Sequence, residues 1–131
     1  MPYTRRFVLA CLGAVTGLPL MLRLSPGLAA ERSVGLSAAT LRSLIADPLR
    51  ARILGCSYRA QFPAEDHPGV LTGLIGSSLG LGDAGAAALN RDALLCVLDA
   101  RVRAEFGAGD IVRADGWVLA RTEARLCALC E

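Results

Sequence analysis

The chain contains no lysine: all 14 basic residues are arginine. It has no aspartate or glutamate before residue 31, a single histidine, and no apolar stretch longer than the 16 residues 7–22, which Thr16 interrupts. Each scarcity excludes something. Three arginines lie in residues 1–30, which leaves 11 against 12 carboxylates in residues 31–131, so the body is close to neutral. Nucleic-acid binding needs a one-sided excess of cations to release counterions, and the body has none. The arginines show no phosphate-clamp spacing, so their exclusive use reads as coding bias. Charged residues at 20% and apolar residues at 53% exclude a disordered acidic or basic tail. With 131 residues, the chain holds one small domain after any leader is subtracted.

Residues 1–30 fall into a basic start ending in Arg5 and Arg6, the apolar stretch 7–22, and the small-residue segment Ser25-Pro26-Gly27-Leu28-Ala29-Ala30. That order is the layout of an export signal. The apolar stretch is shorter than the roughly 20 residues a spanning helix needs, and Gly13, Gly17 and Pro19 weaken its helix. Cleavage after Ala29 puts Gly27 and Ala29 at the small-residue positions. Thr4-Arg5-Arg6-Phe7-Val8-Leu9 resembles the twin-arginine leader, although Phe7 follows the pair directly and the downstream lysine is missing. The resemblance implies export in a folded state through the twin-arginine translocase and a periplasmic destination. General secretion and an uncleaved membrane anchor are the alternatives. Cys11 is a filler of the apolar run.

The body, residues 31–131, reads as mainly α with one C-terminal β-hairpin. Ser37 caps a short helix carrying Leu41, Leu44 and Ile45. Asp47-Pro48 starts a second helix, on which Leu49, Ile53, Cys56 and Ala60 recur at four, three and four; this is the expected buried face, with Cys56 inside. Residues 63–68 form a loop containing His67. Residues 69–85 are either a loose apolar helix or a buried irregular connection. Asn90 caps a longer helix to Phe106, stopped by Gly107 and Gly109. Leu94, Leu95, Leu98, Val102 and Phe106 share one side of it, while Asp92, Cys96, Asp99 and Arg103 form a polar face.

Asp115-Gly116 between residues 111–114 and 117–120 is a strong hairpin signal, and its register collects Val112, Ala114, Trp117 and Leu119 on one surface. A last helix from about Thr122 carries Leu126 and Leu129 and packs on the hairpin. Residues 106–129, and 115–129 above all (Asp115-Gly116-Trp117-Val118-Leu119-Ala120-Arg121-Thr122-Glu123-Ala124-Arg125-Leu126-Cys127-Ala128-Leu129), resemble the C-terminal signature of small bacterial twin-arginine-leader proteins of unassigned function. Where that pattern has Ser, this chain has Ala120, which moves the expected cap of the last helix to Thr122. The resemblance carries over no catalytic residue.

Gly80-Leu81-Gly82-Asp83-Ala84-Gly85 matches a dinucleotide fingerprint, with Asp99 as the ribose acid, but the body lacks the alternating strands and helices of a doubly wound sheet. Gly76-Ser77-Ser78-Leu79-Gly80 matches a nucleophile elbow, yet the sole histidine precedes the serine. Asp66-His67 reads as a solvated loop pair.

Removal of the leader leaves Cys56, Cys96, Cys127 and Cys130, an even set that predicts structural disulfides in an oxidising compartment. The same four are the candidate ligands of a metal or iron–sulfur cluster, although one close pair plus two distant cysteines is a poor ligand pattern. Cys127-Ala128-Leu129-Cys130 has thioredoxin spacing but lies at a helix end, where the backbone carbonyls repel a thiolate. The reading is therefore a non-catalytic periplasmic accessory or interaction protein, with no cofactor, presenting Trp117 or Cys96 to a larger partner. The alternative is a small cysteine-ligated metal or redox carrier.

Overall fold

The computed structural model describes residues 36–82, 85 and 88–130. The leader assigned to residues 1–30, with Arg5 and Arg6, lies outside them, as does Asp83. The described chain is mainly helical: α1 Ala38–Arg42, α2 Pro48–Gln61, a single 3-10 turn Pro63–Glu65, α3 Pro68–Ser78, α4 Arg91–Ala108, strands β1 Ile111–Ala114 and β2 Trp117–Ala120, and α5 Arg121–Ala128. Among the described residues no helix is long and apolar enough to cross a membrane.

Local chemistry starts each long helix. The Asp47 carboxylate accepts from the Arg50 N–H at 3.0 Å, and Pro48 supplies a first residue that needs no hydrogen-bond acceptor. Asn90 Oδ1 accepts from the Ala93 N–H at 2.8 Å. His67, expected in a solvated loop, is the cap of α3: its Nδ1 accepts from the Gly69 N–H at 3.1 Å, ahead of Pro68. Residues 68–78 thus take the helical option, burying Leu71 and Ile75. α4 passes through Gly107 and ends only at Gly109.

The hairpin turn has Asp115 at φ 49° and Gly116 at φ 78°, two left-handed residues as a type I′ turn requires. Val112 pairs with Leu119 and Ala114 with Trp117. Val112, Ala114 and Leu119 are buried on the expected surface, and Trp117 is half-buried beside them.

The centre of the fold is α5. Six of its residues, from Thr122 to Ala128, are buried, with Leu129 and Cys130 beyond it. It packs on the hairpin as expected, and also on α2, α3 and α4. The approach to α2 is closest at Gly55: a Cβ there would lie 2.2 Å from the Cys127 carbonyl oxygen.

That contact explains a correction. α2 buries Ala51, Leu54, Gly55 and Tyr58, not the expected face. Leu49 is 78% and Ile53 58% exposed, and Cys56 and Ala60 are exposed with them. Both sides of α2 carry apolar residues, but only the side with Gly55 lets the two backbones meet.

Candidate interaction surface

The outward side of α2 is an apolar stripe, Leu49, Ile53, Cys56 and Ala60, spanning about 16 Å at 1.5 Å per residue. Arginines flank it. Arg50 pairs with Asp47 at 3.6 Å and lies over the Trp117 ring, 5.2 Å from its centroid, so the half-buried tryptophan borders the stripe. Arg59 faces Asp66 at 3.5 Å, donates to the Ala128 carbonyl at 2.8 Å and touches Cys56 Sγ at 3.5 Å. Arg52 is exposed and forms no ion pair among the described residues. A lone exposed leucine needs no explanation, whereas aliphatic side chains recurring on one helix face make a candidate contact surface.

The four cysteines do not converge. Cys56 and Cys96 are exposed on α2 and α4, Cys127 and Cys130 are buried at the end of α5, and all four are free. The expected burial of Cys56 and the expected disulfides are therefore absent from the structure. α2 turns Cys56 to the outside, while the Cys127-x-x-Cys130 pair is held in a helix end as two thiols. Among the described residues no group of three histidines, cysteines or carboxylates stands close enough to hold a metal ion. Burial pushes the Cys127 thiol far up, and Glu123 adds to the effect. Burial also raises Cys130, against the opposing pull of Arg42 and Arg59. Neither is disposed to form a thiolate nucleophile.

Ser78 and His67 occupy opposite ends of α3, about 16 Å apart by helical rise. Ser78 Oγ donates to the Ile75 carbonyl in the last turn of a helix, so the strained strand-to-helix turn of a nucleophile elbow is not formed. Gly80 and Gly82 of the fingerprint follow α3 rather than a strand. An open cleft of about 120 Å³ lies between α1 and the start of α4, lined by Leu44, Leu89 and Leu94 among others, well below the roughly 300 Å³ at which small-molecule sites begin.

Two polar clusters escaped the sequence reading. Glu105, only 2% exposed, accepts from the Thr122 N–H at 2.8 Å and its hydroxyl at 2.7 Å, and pairs with Arg101 at 2.9 Å. Ser78 Oγ lies 3.0 Å from the same hydroxyl. Glu105 thus does for α5 what a cap does. Thr122 is not that cap, and Ala120 has no oxygen to offer; Glu123 supplies the other half by accepting from the Ala120 N–H at 3.3 Å. The legible signal was Glu105 continuing the stripe Leu94, Leu98, Val102 at helical spacing.

The second cluster joins the 3-10 turn to α5. Glu65 takes a two-pronged bond from Arg125 at 3.0 and 3.1 Å and a third from the Tyr58 hydroxyl. The Arg125 hydrogen bonds hold the Glu65 carboxyl below its usual range, against its partial burial. Burial, then the bond to Glu65, raises Tyr58. Both clusters are satisfied internally and serve the fold.

No protein-family model, curated protein or solved structure matches the chain.

Proposed function

We propose that the protein is a non-catalytic interaction or accessory subunit, delivered to the periplasm by the twin-arginine translocase and docked there on a larger partner. The observation that carries the docking reading is the outward face of α2, where Leu49 and Ile53 stand in water although the same helix has an apolar inner side. A small body leaves much of its surface unburied and gains stability from a partner that binds only the folded form. The export reading rests on the order of Arg5, Arg6, the apolar stretch and the small-residue segment, and on the resemblance to small twin-arginine-leader proteins. Dispersal of the cysteines gives no support to the metal or redox carrier.

Fractionation of the native host tests the export reading. Protein recovered outside the cytosol with its N-terminus at Ala30, and retained in the cytosol when Arg5→Lys and Arg6→Lys are combined, is the expected result. An intact N-terminus on cytosolic protein with wild-type arginines overturns it. Replacement of Ile53 by a photocrosslinking residue tests docking.

A further inference from the structure

We infer that the α2 stripe receives an amphipathic helix whose apolar face is flanked by carboxylates, presented by a different protein. This deepens the docking reading above and rests on it. The stripe is linear, with Leu49 and Ile53 as its bulky members and the small Cys56 and Ala60 at the other end, the spacing that matches a helix laid along another helix. Its electrostatics choose among occupants. From Pro48 to Gln61 the helix carries Arg50, Arg52 and Arg59 and no carboxylate. Arg50 and Arg59 already face Asp47 and Asp66, while Arg52, on the shoulder of the stripe, faces no described acid.

A second copy of this chain would bring a second Arg52 towards the first, and its α2 carries no carboxylate from Pro48 to Gln61 to meet either. The chain's own apolar stretch, residues 7–22, is flanked only by Arg5, Arg6 and Arg23, which repel in the same way. An anionic bilayer is recognised by clusters of roughly four to eight cations, and one unpaired arginine falls short. A partner helix needs only a carboxylate placed a turn from its apolar face to meet Arg52, and the pair would be sheltered by the aliphatic contact beside it.

The test is photocrosslinking in cells of the native host from full-length chain carrying Ile53→p-benzoylphenylalanine, with Leu49→p-benzoylphenylalanine as the second placement should the first disturb folding. The expected result is an adduct whose linked peptide is amphipathic and bears aspartate or glutamate within one turn of the linked residue. Arg52→Glu lowers its yield at least tenfold, and Arg91→Glu, an equal charge reversal on α4, leaves it unchanged. Adducts with a second copy, with lipid, or with a segment lacking carboxylates overturn the inference while leaving a docking surface in place, and so does a yield indifferent to Arg52→Glu. No adduct from either position, in chains with unaltered thermal melts, overturns the inference and the docking reading together.

Discussion

α5 and α2 touch along their lengths and follow opposite rules. α5 is rich in polar side chains, with Arg121, Thr122, Glu123 and Arg125 in eight residues, and it is the most enclosed helix of the described chain. α2 turns Leu49 and Ile53 to water. Hydrophobicity alone would reverse the two. What decides is whether polar groups can be answered and how closely backbones can meet. On α5, Glu105 answers Thr122, Glu65 answers Arg125, and Arg59 and Arg42 from α2 and α1 donate to the carbonyls of Ala128 and Leu129. A helix end inside a protein must have its carbonyls satisfied, and arginines do so while opposing the dipole. On α2, the face with Gly55 won over the face with more aliphatic carbon, because only there does the backbone come against Cys127.

The contrast is broken most severely at its point of contact. Gly55→Ala places a Cβ 2.2 Å from a carbonyl oxygen of another helix, where only backbone displacement relieves the clash. A loss of about 3 kcal/mol or more is expected, which a thermal melt reads as a fall of roughly 12 °C or more. Glu105→Ala comes next. It leaves the Thr122 N–H without its acceptor in the interior, and the hydroxyl with Ser78 Oγ alone, at a cost of about 2 kcal/mol in denaturant unfolding.

Acid probes the strap to α5. The folded Glu65 carboxyl is held below its unfolded value by the Arg125 hydrogen bonds, so its contribution is present above about pH 4.3 and is lost as the pH falls through the depressed value. Unfolding followed from pH 6 downwards therefore steepens below about pH 4.3 in the wild type, and less so in Arg125→Gln. The smallest effect belongs to the outer face: Ile53→Ser is expected to change stability within about 0.5 kcal/mol, since the side chain already lies in water. A large loss there would mean that α2 has no free side.

These contrasts also mark how far the sequence could be read. Ser37, Asp47-Pro48, Asn90 and Asp115-Gly116 act within four residues of themselves, and each starts or turns the chain where expected. The inward face of α2 depends on a helix more than 60 residues later, and nothing in the spacing of Leu49, Ile53, Cys56 and Ala60 reveals it. Glu105 was passed over because a carboxylate on an apolar stripe makes sense only beside the helix start it serves. His67 was expected as a solvated loop residue, yet its role as a helix cap is set by Pro68 and Gly69 next to it. Leu49 and Ile53, expected in the core, lie instead on the exposed side of α2, and the half-buried Trp117 stands at its edge.

One consequence follows from the order of manufacture. α1 to α4 and both strands leave the ribosome before the helix they wrap, so a nascent chain cut short of residue 121 has walls and no centre. Folding must wait for nearly the last described residues, and stalled translation products should be protease-sensitive until Cys130 has emerged.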